Sequence, residues 1–401
     1  QQVQTRLDTL MADIETRLSQ LQTDIETGQE ATLGDLSALK QSYLERLEAI
    51  QADAQTQKDA IMRQLGALTP QYLADSFVSE AQARFAEIAD KLERLQTNRP
   101  QLFQTADEHL EAARRYRAES RIAEALQEFD RALDIQPSNP QIWMEKAQLL
   151  AEQERLEQSL EALDHLLSLE STNVEALFQK AQILRELRRQ EGALDTLNRF
   201  TELAPADPKG WLTQGLVLSR LKRREDAIAA FDKALEITPD YHEAWVNRGV
   251  SYGILENHEE AFRSFDRAVE VQANDAIAWL NRGLSLIELG RFDDALESLD
   301  KATRFKPDSA KAWDNRGYVL VKLGRDADAI KSFDKAIELD PDYAKAYYNK
   351  ATCYALQREF DLAMESLQPA VRLDPDYKAE ARTDPAFDEL WGDTWFREIV
   401  E

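Results

Sequence analysis

Gly249-Val250-Ser251-Tyr252-Gly253 reads G-x-S-x-G, the spacing of a serine nucleophile on a sharp turn. That chemistry needs a strand, a strained turn and a helix in succession. The residues on either side recur at helical steps, and Gly249 falls where a small packing residue recurs. Hydrolysis is therefore not expected. The four histidines, His109, His165, His242 and His258, form no HExxH or other metal-ligand spacing. His109 stands where a Trp recurs in other parts of the chain and is expected to pack. Cys353 is the one cysteine, which excludes an internal disulfide, a CxxC pair and a Cys-based zinc site. There is no Walker loop and no dinucleotide-type glycine loop. No catalytic residue, metal site or cofactor is expected, and the chain is not expected to be an enzyme. Asp232, Asp266, Asp300 and Asp334 recur at one position, each followed by Lys or Arg. A solvated helix face with local salt bridges accounts for them.

The elements that carry these residues are set by a repeat. Trp211, Trp245, Trp279 and Trp313 are each 34 residues apart, and Trp143 lies two periods before Trp211. Pro205, Pro239, Pro307, Pro341 and Pro375 keep the same period or its double. Eight copies start near residues 106, 140, 174, 208, 242, 276, 310 and 344. The eighth position is always Ala or Gly, as in Ala113 and Gly317. The twentieth is Ala except at Ser159. The twenty-fourth is always large and apolar, as in Phe129, Phe231, Leu299 and Phe333. Large and small residues at steps of 3 and 4 give a helix period, and small ones let two helices approach. Gly290-Arg291 and Gly324-Arg325 fit a helix C-cap between the two helices of a copy. Proline at position 32 of six copies stops the second helix.

This pattern resembles the tetratricopeptide repeat (TPR). Ala310 to Pro341 carries Trp313, Gly317, Leu320, Ala329, Phe333, Ala336 and Pro341 at every signature place. The resemblance spans roughly residues 106–377. Asn247-Arg248-Gly249 and its two echoes look like TPR proteins common in cyanobacteria. Leu166 and Phe200 stand where Ala is usual, so copies two and three are expected to pack less regularly. The implied fold is all-α: a right-handed α-solenoid of eight TPR helix pairs, preceded by a coiled coil or helical hairpin. The expected division is 1–97 for the coiled coil or hairpin and 98–105 for a linker. Residues 106–377 hold the repeats and 378–401 a C-terminal capping helix.

Residues 7–61 carry the coil signal. Leu7, Met11, Ile14, Leu18, Leu21 and Ile25 step by 4 and 3, a heptad seam. A second run from Leu36 to Ile61 is out of phase with the first, which fits either a stutter or a turn back. The seam is expected to support a homo-oligomer or pairing with a partner helix, or else to fold as a hairpin. The last segment carries Phe387, Leu390, Trp391, Trp395, Phe396 and Ile399. It would cover the open apolar face of the last repeat. The alternative is an aromatic docking motif.

In TPR arrays the first helices line a concave face, with positions 2, 5, 9, 12 and 13 of each copy looking inward. Carried over, that face holds eight bases and seven acids, in a chain whose 49 Lys and Arg against 74 Asp and Glu give −25. Its apolar set is Leu212, Leu216, Val246, Val250, Ile254, Ile277, Leu280, Leu284 and Ile287. Tyr318, Val321, Tyr348 and Leu356 extend it beside Lys311, Lys322 and Lys345. Asn247, Asn281, Asn315 and Asn349 recur on the same helices and could hydrogen-bond an extended peptide. A bare apolar patch of this kind marks a binding surface. The resemblance thus implies a non-catalytic interaction scaffold that holds a protein partner's apolar, mildly acidic segment. A carboxylate clamp of Lys and Asn on three successive repeats fits poorly, because Leu212 and Leu216 occupy its first places.

The charge argues against nucleic acid as partner. The longest apolar runs, such as Ala227 to Phe231, are far short of the ~20 residues a spanning helix needs. A cytoplasmic protein is expected. The chain opens at Gln1, which leaves an upstream anchor as an alternative, with assembly at a membrane through the coil. A second alternative is the regulatory part of an enzyme whose catalytic domain lies elsewhere.

Overall fold

The computed structural model describes residues 104–401, together with single helical positions between 12 and 94. The heptad seam and its expected oligomer or hairpin lie outside the described residues, as does most of the expected linker. The chain divides into two compact units, Gln1–Ala176 and Leu177–Glu401.

In the first unit, α1 (Ala106–Ala118) pairs with α2 (Ile122–Ile135), and α3 (Pro140–Glu152) pairs with α4 (Leu156–Leu169). Thr105 starts α1 with a capping box: Glu108 N donates to its Oγ1, and Glu108 Oε2 accepts from Thr105 N at 2.8 Å. Ala113, Ala125, Phe129 and Ala132 share one buried core. His109 is buried, with Nδ1 2.6 Å from Glu128 Oε2, so it packs as expected.

The boundary between the units falls near the start of α5 (Val174–Glu186). The helices that follow are α6 (Gln190–Leu203), α7 (Pro208–Arg220), α8 (Arg224–Ile237), α9 (His242–Ile254) and α10 (His258–Val271). After them come α11 (Ala276–Glu288), α12 (Phe292–Phe305), α13 (Ala310–Lys322), α14 (Asp326–Leu339), α15 (Ala344–Leu356) and α16 (Phe360–Leu373). The first helices begin at the eight starts that the period gives. The described residues contain helices and turns and no strand. The fold is all-α, built from TPR helix pairs of the α-solenoid kind.

The period has three physical causes visible in the second unit. First, each first helix ends in a left-handed residue. Gly290 has φ +70°; its N–H donates to Ile287 O at 2.9 Å, and Arg291 N donates to Leu286 O at 2.9 Å. That is a Schellman cap. Lys222, Glu256 and Arg358 take the same conformation without glycine's freedom. Second, the tryptophan indole closes the joint between copies. Trp211 Nε1 donates to Pro205 O, Trp245 to Pro239 O and Trp313 to Pro307 O, at 2.8 to 2.9 Å. The Trp and Pro periods are therefore one contact seen from two sides. Third, Phe333 fills the space beside Gly317, where a Cβ would lie 2.5 Å from its ring.

Copy three accommodates its large residue at the joint with copy four. Phe200 is buried, and a Cβ on Gly210 would sit 2.3 Å from its ring. Copies four to seven carry Ala at both places, as Ala302 and Ala312 do. The large residue is thus matched by a glycine on the facing helix. Leu166 is likewise fully buried in a helix of normal length.

The recurring aspartates also differ from expectation. Their partners are on the next repeat, not local. Arg248 Nε donates to Asp232 Oδ1 at 2.7 Å and Nη1 to Ser264 Oγ at 2.7 Å. Arg282 joins Asp266 and Ser298 in the same way, and Arg316 joins Asp300 and Ser332. Lys350 reaches Asp334 at 2.7 Å. Each Arg therefore ties three helices of two neighbouring repeats. The guanidinium bridges sixteen residues in either direction, a range that a local pairing rule does not search.

The C-terminal segment forms three short pieces, α17 (Asp376–Thr383), a 3-10 helix (Pro385–Gly392) and α18 (Thr394–Val400). Phe387 and Phe396 are fully buried against Leu367 and Ala370 of α16. The open face of the last repeat is covered in this way, while Trp391 remains 42% exposed.

Candidate peptide-binding groove

The first helices of repeats four to eight are set side by side. Helix α7 touches α9, α9 touches α11, α11 touches α13, and α13 touches α15. Caps fix where several of them begin. Asp207 Oδ1 accepts from Lys209 N at 2.9 Å, and Pro208 takes the first helical position. Asp275 Oδ1 accepts from Ile277 N at 2.8 Å, and Ser309 Oγ accepts from Ala312 N at 3.3 Å. With starts in register, equal positions on neighbouring helices form rows across the array.

The ninth-position row is Leu216, Val250, Leu284 and Tyr318. Val250 is 39% exposed, and the other three are half-buried. Ile254 on α9 and Ile277 on α11 are 54% and 57% exposed, the barest apolar residues of this face beside Leu356. Val246, Leu280, Ile287 and Val321 are half-buried and share the core beneath. Ile254, one turn after Val250, lies on the same helix face as Val246 and Val250.

Some of the sequence-expected residues do not face solvent. Leu212 is 5% exposed and belongs to the core. Tyr348 is 4% exposed; it stacks on Tyr377 and donates to Asp384 Oδ2 at 2.9 Å. Burial, reinforced by that carboxylate, pushes its phenol well above the ordinary range. The cap segment therefore claims Tyr348.

The asparagines are largely used within the protein. Asn247 Nδ2 donates to Glu243 O at 2.8 Å, and Asn315 Nδ2 donates to Lys311 O at 2.6 Å. Asn349 Nδ2 donates to Asp314 Oδ1 at 2.7 Å. Asn281 is half-buried on α11, at the same position as Asn247 and Asn315.

Asp314 was legible as an acid of this face but not as a buried one. It is fully buried, and Tyr343 Oη approaches its second oxygen at 3.4 Å. Desolvation raises its pKa above the usual carboxylate value. Its position is apolar or aromatic in the neighbouring copies (Val246, Leu280, Tyr348), which was the signal available in the sequence.

Lys311, Lys322 and Lys345 are exposed. Lys322 Nζ lies 5.2 Å from the Tyr318 ring centre. None of the three has a carboxylate within 4 Å among the described residues. Bases off this row are mostly paired, as Arg291 is to Asp294 and Lys335 to Glu338.

Ser251 of the G-x-S-x-G match is buried inside α9 and donates to Asn247 O at 2.8 Å. No strand or turn presents it. Cys353 is buried, and burial pushes its thiol up to about 11. No group of three His, Cys, Asp or Glu among the described residues is placed to hold a metal ion. No helix among them is long and apolar enough to cross a membrane.

A family model described as the cilia and flagella-associated protein 70 C-terminal domain matches residues 162–383, more than half of the chain. The chain belongs to that TPR family. A second model, described as tetratricopeptide repeat, matches residues 116–170. Similar solved structures include the C-terminal part of a TPR repeat-containing protein from Cytophaga hutchinsonii. It is 16% identical, with a TM-score of 0.50, and the match covers 62% of this chain and 99% of that one. A TPR protein from Parabacteroides merdae is 20% identical, with a TM-score of 0.44 over 65% of this chain and 98% of its own. YrrB, titled a TPR protein with an unusual peptide-binding site, is 26% identical, with a TM-score of 0.43 over 47% and 98%. These likenesses are likenesses of fold. No curated protein matches the chain.

Proposed function

We propose that this TPR protein is a non-catalytic scaffold that captures an apolar, mildly acidic segment of a protein partner on the first helices of repeats four to eight. TPR arrays serve as protein-interaction scaffolds, and the reading of this surface goes further than that. Its main support is the exposure of Val250, Ile254 and Ile277 on adjacent helices. Burying a Leu-sized ligand side chain there contributes roughly 1.5–3 kcal/mol before the entropy of association. In this reading residues 1–97 form a coiled coil that makes a homo-oligomer through residues 7–61, so that several surfaces act together. Residues 98–105 link it to repeats over 106–377, and 378–401 close the array. We place the protein in the cytoplasm.

The test is a cross-linked pull-down from source lysate with the whole chain and with Val250→Asp/Leu284→Asp. Helical circular dichroism of the double variant checks its fold. A partner held by the native chain and lost from the folded variant supports the reading. Equal recovery by both rejects it.

A further inference from the structure

The lysine row says more about the ligand than its average charge. Lys311 and Lys345 are each the second residue of a first helix, and those helices, α13 and α15, are neighbours. Ile277 holds the same place on α11, one helix earlier. Across repeats four to eight the row reads Lys209, Glu243, Ile277, Lys311 and Lys345, so its last three members are an exposed apolar residue and two exposed bases. Neighbouring helices are spaced roughly 8–10 Å apart. An extended peptide advances at most ~3.3–3.6 Å per residue. Each step along the row is thus about two to three ligand residues.

In a chain of net charge −25, bases such as Arg291 and Lys335 are held in ion pairs on their own helices. Lys311 and Lys345 make no ion pair within 4 Å among the described residues, although Lys345 is close enough to attract the buried Asp314 carboxylate. The buried acid of this face, Asp314, takes its hydrogen bonds from Asn349 and Tyr343. A terminal carboxylate would need the amide donors of Asn315 and Asn349 beside these lysines. Each amide already gives one N–H within the protein, to Lys311 O and to Asp314, and Asn315 is buried. The most open groups here are two exposed ammonium groups one helix apart, next to an apolar step.

We propose that the groove takes an internal peptide segment in which an apolar block is followed along the groove by two acidic side chains two to three residues apart, one for Lys311 and one for Lys345. This rests on the groove reading above. It separates an acidic-side-chain ligand from a ligand held by its C-terminal carboxylate.

The experiment is phage display of random 12-residue peptides, flanked on both sides, against the whole chain. Parallel selections use Lys311→Glu/Lys345→Glu and Val250→Asp/Leu284→Asp, each checked by circular dichroism. An enriched peptide is then resynthesised with a free and with an amidated C-terminus, and its affinity is measured by fluorescence anisotropy. The native chain should enrich an apolar block with paired Asp or Glu at that spacing. The lysine reversal should abolish or invert the acidic preference and weaken the chosen peptide by about five- to tenfold, as expected of exposed charge pairs. Amidation should leave affinity unchanged. Apolar peptides without acidic preference, or a large loss on amidation, would overturn this inference and leave the groove standing. Equal enrichment by the Val250→Asp/Leu284→Asp chain, or no enrichment at all, would remove the groove reading and the inference with it.

Discussion

Arg282 reaches back across a repeat boundary to Asp266, with Nε donating to Oδ1 at 2.8 Å, while its Nη1 donates to Ser298 of its own repeat at 2.6 Å. The arginine is only 16% exposed and lies over the Trp279 and Phe262 rings, at 5.4 and 5.1 Å. Charged hydrogen bonds contribute about 1.5–3 kcal/mol when desolvated, and the 36% exposure of Asp266 lowers that. Arg282→Ala should destabilise the array by about 1–2 kcal/mol in urea unfolding. Arg282→Lys should fall between, because the ammonium of Lys350 makes only the aspartate bond in its own copy. A double-mutant cycle with Asp266→Ala reads the contact itself. A coupling energy of zero would mean the aspartate is merely solvated.

These bridges mark where sequence reading stops. Helix starts, the two-helix unit and the place of Gly317 against Phe333 follow from spacing, because close packing forces size at fixed steps. The Asp, Arg and Ser of each bridge were also periodic, yet spacing alone does not say which of several equal periods meet in space. The candidate groove was legible to the same depth. Val250, Ile254 and Ile277 are exposed as their helix face implies. Tyr348 shares that face, but the C-terminal segment folds against it, and only tertiary placement decides that. Asn315 and Asn349 were legible as donors. Their use within the protein depends on a neighbouring carbonyl and a buried acid, which a repeat pattern does not encode.

The glycines of α9 and α13 should respond to substitution with opposite signs. Gly253 has nothing within 4 Å of an added Cβ, and it sits inside a helix. Gly253→Ala should stabilise the protein by about 0.5–1 kcal/mol, the ordinary helix-interior difference. At Gly317 the added atom meets the Phe333 ring at 2.5 Å, and that ring is fully buried. The first repeat places Ala113 opposite Phe129 with both buried, so a single methyl is absorbed by a small ring shift. A branched side chain is not. Gly317→Val should cost about 1–3 kcal/mol by overpacking. Thermal melts of the two variants check both signs, and a neutral Gly317→Val would show that the ring has room.

Asp314 should make stability depend on pH in an unusual direction. Desolvation raises its folded pKa above the unfolded value, outweighing the hydrogen bonds from Asn349 and Tyr343 and the attraction of Lys345. At acid pH the carboxyl is neutral in both states and has no penalty. As pH rises through the ordinary carboxylate range, the unfolded chain releases its proton while the folded chain still holds one. Stability from this group therefore falls with rising pH, and the loss is complete above the folded pKa. An amide has no such term, and Asp314→Asn keeps an oxygen for Asn349 and gains a donor for Tyr343. The variant should melt higher than the native protein at pH 7, with the difference shrinking as pH is lowered to about 3.5, near the model-peptide carboxylate value. Melting curves of both proteins across that range decide it. A variant that is less stable at pH 7 would show that the Asp314 carboxylate is stabilised by Lys345 more than it is penalised by burial.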